Sequence, residues 1–489
     1  MIIIILYTVC LFIILVYCLN QFRLIFRALQ YKKQDRLASN LPDPQLEWPV
    51  VTVQLPVFNE IYVVERLIDA VAHFNYPLDK LEIQVLDDST DETKDVIADK
   101  AQFYRNQGVD IKHMHRNVRR GYKAGALQDG LQTARGDFLA VFDADFVPER
   151  NFLKRLIPEF AHPHVGMVQA RWQHINRNFS ILTKAQAFAL DGHFSVEQRG
   201  RNASGSFINF NGTAGIWRKS CIEEAGGWQH DTLTEDLDLS YRAQLQGWQF
   251  TFVEMVVAPA ELPAQMNAIR SQQYRWNKGA AEVAKKVLPD IARSGLPFGV
   301  KLNAFFHLIN SSIYIFVFLT AVLSVPTLFI KNTGYYQDFF SVSSFFIISF
   351  LAIGAFYYTA YFRYQQRHWL GVFSFFYNFI FFLSLTMGLS FHNALAVLQG
   401  WLGRKTSFVR TPKFNIRTLK DSWQGKQYAK GRISGMVLVE GLLVIYFAMA
   451  LLAGILMGDV GLVPFHLMLI LGFGSIFYYS VKHAKVPST

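Results

Sequence analysis

Four short stretches gather side chains that can do chemistry. Two acids adjoin in QVLDDST (Asp87, Asp88), two alternate in FDADF (Asp143, Asp145), two follow a threonine in LTEDLD (Thr234, Glu235, Asp236), and SQQYRW holds Gln272, Arg275 and Trp276. Carboxylates at alternate positions as a strand ends offer oxygen alone, the donor set of a hard divalent cation such as Mg²⁺ or Mn²⁺. Such a cation would bridge a diphosphate and neutralise charge on a leaving group. A bare DxD occurs by chance; its place at a strand end gives it weight. The helix dipole favours acids in a first helical turn, so capping accounts for one acid of the TED triplet. Arg275 and Trp276 stand where a globular region meets an apolar one, and anchoring at a bilayer surface is a second use for both.

These groups need elements to position them. VTVQLPVF (51–58), LEIQVLD (81–87), DFLAVFDAD (137–145) and VGMVQARW (165–172) read as strands with helical stretches between them, which predicts a largely parallel α/β sheet. Ligands of such sheets gather beyond the carboxyl ends of the strands. Asn59 and Glu60, Asp87 and Asp88, and Asp143 and Asp145 all fall there, three neighbouring termini where capping explains one at most. GYKAGALQDGL puts Lys123 at a helix start, suited to phosphate. FNGTAGIWR, with Asn211, Gly212 and Thr213, suits close backbone approach to a neutral, hydroxylated ligand. The chain has no GxGxxG and no Walker lysine loop, so dinucleotide and P-loop chemistry lack support.

The 489 residues are 51% hydrophobic and 15% aromatic, with mean hydropathy +0.18. That excess is uneven. Residues 46–290 read as globular, while 2–20 and most of 303–481 read as membrane. The net charge of +11 includes Arg23, Arg27, Lys32, Lys33, Arg36 and a run from Arg404 to Arg432, all beside apolar spans. This is the positive-inside pattern of a cytoplasmic membrane face, and no zinc-finger or RNA-binding signature argues for nucleic acid. Cys10, Cys18 and Cys221 have neither disulfide nor metal spacing and suit a reducing compartment.

Met1 runs straight into isoleucines and arginines follow the apolar run, so an uncleaved anchor with its N-terminus outside is expected rather than a signal peptide. The expected layout is a first span (1–22), a cytosolic domain (46–262), interfacial amphipathic helices (263–300), two spans (303–362), interfacial or re-entrant helices (369–403), a cytosolic loop (404–433) and two last spans (436–482). Arginines flank 370–403 on both sides, so one crossing there would break the charge rule; five crossings are expected, six if it crosses. A transporter is the reading from another class, with Glu440 and His466 as its few intramembrane ionisable residues and packing as their plainer use.

The series DDS, DAD, TED and QQYRW resembles that of processive family 2 glycosyltransferases, the cellulose, chitin and hyaluronan synthases. QVLDDSTDET, GYKAGAL, FDADF, VQARW, FNGTAGIWR and EAGGW look most like the plant cellulose-synthase-like A and C proteins, densely over about 50–290. SFVRTPK (407–413) is similar to the FxVTxK gating loop of cellulose synthases: Phe408, Thr411 and Lys413 match, and Arg410 replaces a valine. No stretch after it resembles a cyclic-dinucleotide-binding PilZ domain. The resemblance implies a GT-A (Rossmann-like) domain between membrane helices of the plasma or inner membrane. It implies an inverting transfer of hexose from GDP-mannose or UDP-glucose to a growing β-1,4-glycan, carried across the membrane beside its lipids.

By residue match, Pro56, Asn59, Glu60, Asp87, Asp88, Lys123, Asp143, Gln272 and Arg275 would hold the nucleotide sugar. Asp143 and Asp145 would hold Mg²⁺ or Mn²⁺. Trp276, Asn211, Gly212 and Thr213 would meet the acceptor. Asp236 would be the base, with Thr234 and Glu235 beside it, and an aspartate near its ordinary pKa of about 4 would be a weak one. A non-processive enzyme that adds one sugar to a lipid is the other reading within this superfamily.

Overall fold

The computed structural model describes residues 1–30, 47–337, 340–341, 344–364, 369–429 and 433–484. Lys32, Lys33, Arg36 and Arg432, named above among the flanking charges, lie outside the described residues, as does Arg367, one of the arginines that flank 370–403.

Seven strands form one sheet: β1 (Val51–Val57), β2 (Leu81–Asp87), β3 (Asp110–His115), β4 (Phe138–Val141), β5 (Val165–His174), β6 (Gly215–Arg218) and β7 (Gln249–Ala260). Their order is β3-β2-β1-β4-β6-β5-β7. Valine and isoleucine rows on β1 and β2 are buried on both faces, as helices on each side require. β6 departs from the expected parallel pattern, pairing antiparallel with both β4 and β5. It is four residues long and carries no periodicity to read. The acids of FDADF lie beyond β4 rather than in it, since the strand ends at Val141. Phe142 N–H still donates to Gln54 C=O (3.1 Å), and Phe146 N–H then turns back to Asp143 C=O (3.0 Å). Both carboxylates therefore stand on a loop at the carboxyl end of the sheet.

Helix α1 (Ile2–Gln30) precedes the sheet. After it come α2 (Glu235–Leu245), the 28-residue α3 (Met266–Arg293), α4 (Phe298–Leu308), α5 (Ile313–Lys331), α6 (Ile347–Tyr361), α7 (Trp369–Gly388), α8 (Ser390–Trp401), α9 (Gly435–Leu456) and α10 (Val463–Ala484). Among the described residues five helices, the ranges Ile2–Gln30, Asn310–Lys331, Trp369–Gly388, Gly435–Leu456 and Val463–Ala484, are long and apolar enough to cross a membrane. That is the make-up of an integral membrane protein. These candidates differ in membership from the expected spans. At 20 residues, α7 meets the length of a crossing although the charge rule placed 369–403 at the interface, and α6 is a 15-residue apolar helix.

Side chains that hinted at a transport path have packing partners. Glu440 accepts from Arg270 of α3, and His466 lies 3.0 Å from Ser324 Oγ. Helices α7 and α10 cross backbone to backbone: a Cβ on Gly472 would lie 2.0 Å from Ser384 C=O, and one on Gly388 2.4 Å from the Gly472 carbonyl carbon. Small residues allow such approach, which lipid cannot replace. Gly472→Leu is expected to cost about 3 kcal/mol or more, the upper end for overpacking. Thermal unfolding of the detergent-solubilised chain checks this, and an unchanged Tm refutes the contact.

Candidate active site

The carboxyl ends of β1, β4, β5 and β7 open onto a cavity of about 1260 Å³. Pro56 and Glu60 line it from the β1 end, Asp143 and Asp145 from the β4 loop, Asn211 and Gly212 from the turn before β6, and Thr234, Glu235 and Asp236 from the start of α2. Helix α3 adds Gln272, Arg275 and Trp276, and the 404–429 segment adds Phe408, Arg410, Thr411 and Lys413. Residues far apart in sequence thus converge at one sheet end.

Lys123 is central. Its ammonium donates to an Asp143 oxygen and to Gly212 C=O (2.7 Å). Burial works against its charge, yet Asp143, Glu235 and Asp236 outweigh that and hold its pKa above the ordinary value. Gly212 has φ +79, and a Cβ there would stand 2.9 Å from Asp236 Oδ2, so a side chain would be strained and would push the acid aside. Thr213 lies behind the wall and accepts from Asp143 N–H through Oγ1 (2.9 Å).

Thr234 stands at the N-cap of α2 without capping it, and its buried Oγ1 has no hydrogen-bond partner among the described residues. Its side chain meets α3 at Gly279, where a Cβ would lie 2.5 Å from Thr234 Cγ2. Asp236 Oδ1 accepts from Leu237 N–H (2.8 Å). Burial, reinforced by Glu235, pushes the Asp236 carboxyl up to about 7; burial raises Glu235 as well. The ordinary, weakly basic aspartate expected from sequence is therefore replaced by one poised near neutrality.

The segment from 404 closes the cavity. Arg275 donates to Thr411 Oγ1 (2.9 Å) and lies 4.4 Å from the Phe408 ring, which stacks on Tyr122 at 5.7 Å. Lys413 Nζ is 2.8 Å from Asp145 Oδ2. Arg410, the departure from the gating pattern, donates to the carbonyls of Phe58 and Asn59 and pairs with Glu60 Oε2 at 3.1 Å. Asn59 adopts φ +54, and its Oδ1 accepts from Thr90 N–H (2.8 Å), so it shapes the loop without lining the cavity. Burial raises the Glu60 carboxyl to about 8 against the pull of Arg410.

Asp87 is placed differently from its expected nucleotide contact. It is fully buried and does not line the cavity. Its Oδ1 accepts from Ser89 N–H (2.8 Å), and Oδ2 lies 2.9 Å from a ring nitrogen of His113 and of His115. The three could hold a metal ion, their ligand atoms lying within 4.8 Å of one another. Two imidazoles and a carboxylate suit a transition metal, whereas the all-oxygen pair Asp143 and Asp145 suits Mg²⁺ or Mn²⁺. Asp88 does line the cavity, in a bidentate pair with Arg116 (2.7 and 2.8 Å).

Among the wall residues that sequence reasoning missed, two carry polar chemistry of note. Arg119 stacks 3.5 Å from the Phe58 ring, and its place in RRGYKAG, next to the lysine already chosen, was the available signal. His174, at the end of β5, has both ring nitrogens buried without a partner among the described residues, and burial pushes its pKa down to about 3. No sequence pattern marks it.

Sheet order and site together define a GT-A glycosyltransferase fold. The solved mannosyltransferase PcManGT of Pyrobaculum calidifontis, in complex with GDP-Man and Mn²⁺, shares it at TM-score 0.53 and 19% identity, covering 73% of this chain and 97% of that one. Residues 49–279 match the family described as "Glycosyltransferase like family 2". A probable glucomannan 4-beta-mannosyltransferase of Oryza sativa subsp. japonica is 43% identical over 273 residues, 55% of this chain and 49% of that protein. Glucomannan 4-beta-mannosyltransferase 2 of Arabidopsis thaliana is 44% identical over 252 residues, 50% and 47% respectively. The matched stretch spans about half the length of these curated relatives. Their names agree with the cellulose-synthase-like A resemblance carried by the motifs.

Proposed function

We propose that the chain is an inverting, metal-dependent, processive β-glycosyltransferase. It takes a hexose from a nucleotide sugar, adds it to a β-1,4-linked mannan- or glucan-type chain, and passes that chain across the membrane. One observation carries the reading: Lys123, Arg275, Asp143 and Asp145 meet Asp236 in a single cavity roofed by the Phe408–Lys413 segment. GDP-mannose is the favoured donor, because the relatives are named as mannosyltransferases; UDP-glucose is the alternative.

The chain's own residues do most of the work. Lys123 and Arg275 are cations at the cavity wall, set to meet the diphosphate. Asp143 and Asp145 would hold Mg²⁺ or Mn²⁺, which supplies charge neutralisation at the leaving group. The Asp236 carboxylate accepts the acceptor hydroxyl's proton as that oxygen attacks C1. The bond from C1 to the diphosphate breaks in the same displacement, so an α-linked donor gives a β-linkage. Trp276 forms part of the wall under the acceptor sugar. By the charge rule, the catalytic face is cytosolic and the N-terminus outside.

Incubation of the purified chain with each nucleotide sugar and Mg²⁺ or Mn²⁺, followed by linkage analysis, tests the proposal. The expected product is a high-mass β-1,4-glycan, with mannose as the better substrate. A single sugar on a lipid would overturn processivity, and no transfer from either donor would overturn the enzyme reading.

A further inference from the structure

A second cavity, of about 500 Å³, opens where α1 leaves its apolar stretch. Arg23 and Arg27 of α1, Ser204 and Ser206, and the start of α4 from Gly299 to Asn303 form its wall. The two arginines are four residues apart and so share a helix face, where like charges repel. Nothing offsets that repulsion among the described residues. Arg23 donates only to the neutral side chains of Asn20 (3.0 Å) and Asn303. Arg27 makes no hydrogen bond or ion pair there, and no carboxylate lines the cavity. Asn303 is itself fixed, donating to Ser206 Oγ (2.7 Å) and Gly299 C=O (2.9 Å).

The sequence neighbours of these wall residues are apolar and uncovered. Phe22 is 40% exposed, Phe26 53% and Phe298 78%. A cationic cleft at the end of an apolar helix, with exposed aromatic residues next to its wall residues in sequence, matches a molecule that is anionic at one end and apolar at the other. We propose that this cavity binds the headgroup phosphate of an anionic membrane lipid, with Arg23 and Arg27 on the phosphate oxygens and the acyl chains along Phe22, Phe26 and Phe298. Planar guanidinium groups suit phosphate oxygens, and two uncompensated cations favour a net-anionic headgroup over a zwitterionic one. The inference rests on α1 as a membrane span and not on the catalytic proposal. Free phosphate shares the recognised group but would leave the aromatic rim unused.

Native mass spectrometry of the full chain in detergent, with phosphatidylglycerol, phosphatidylcholine or inorganic phosphate added separately, tests it. Phosphatidylglycerol is expected to stay bound where phosphatidylcholine is stripped. Arg27→Gln should weaken that binding about fivefold, the effect of one basic residue at an anionic membrane surface, and Arg27→Lys should keep most of it. Arg27 has no side-chain partner to lose among the described residues, so an unchanged melting temperature is expected and separates lost binding from misfolding. Equal retention of both lipids, or binding unaffected by Arg27→Gln, overturns the proposal. Inorganic phosphate held as tightly as the lipid assigns the site to a free anion and overturns the lipid source.

Discussion

Asp236→Asn is expected to leave donor binding near its original level and to cut sugar transfer about 10²- to 10⁴-fold, the contribution of a positioned base. Asparagine keeps the shape of the side chain and can still accept from Leu237 N–H, so the start of α2 survives. It cannot take a proton. Because burial beside Glu235 raises the carboxyl to about 7, kcat/KM of the parent enzyme should climb with pH up to about 7 and then level off. That rising limb should vanish in the variant. Stability runs the other way. A folded pKa above the unfolded value of about 3.9 gives stability that is full below about 4 and lost as pH rises through about 7. At neutral pH the variant should therefore melt higher while being inactive. Retained turnover, or a pH profile unchanged by the substitution, removes Asp236 from the role of base.

Asp145→Ala is the second large expectation. Its carboxylate is the charged partner of Lys413, which also donates to Glu261 C=O, and the two side chains are only 11% and 9% exposed. Removing one partner of a buried pair leaves the other charge stranded, at a cost of about 3–5 kcal/mol. The substitution should therefore act twice, abolishing metal-dependent donor binding and releasing the segment around Lys413 from the cavity. Titration of donor with and without Mn²⁺ reads the first effect, and limited proteolysis within 404–429 reads the second. Lys413→Met separates them, freeing the segment while sparing the carboxylate. Parent activity that persists undiminished in chelator counts against a metal at Asp143 and Asp145.

The site was more legible in sequence than the sheet around it. Acids after apolar runs mark strand ends directly, because a buried strand cannot carry them in its interior. Asp143 and Asp145 could be chosen on that ground, whereas Asp236, in the first turn of α2, comes from the resemblance of TED to the family's series. β6 could not, since four residues have no period, and the edge strand β3, with its half-exposed DIKHMH, lacks the apolar run that marks a buried strand. Asp87 shows another limit. Its type and position suit a ligand contact, but the histidines that enclose it come from β3, whose register against β2 only the fold supplies. The helices at 347–388 show a third limit: charge flanks speak to orientation and length to the capacity to span, and α6 and α7 divide those two signals between them.

Helix α3 has one more consequence. At 28 residues and about 1.5 Å per residue it is a strut of about 42 Å. Near one end it carries Gln272, Arg275 and Trp276, and at Gly279 it touches Thr234. Its other neighbours are apolar helices: α8, where a Cβ on Gly400 would meet Lys278 C=O at 2.7 Å, and α9 through Arg270 and Glu440. The depth of these cavity-wall residues is thereby geared to the tilt of the helices they pack on. A bilayer whose hydrocarbon thickness does not match those helices changes their tilt and loads the strut. Acyl-chain length in the surrounding bilayer would then act as a mechanical setting on the cavity that α3 helps to line.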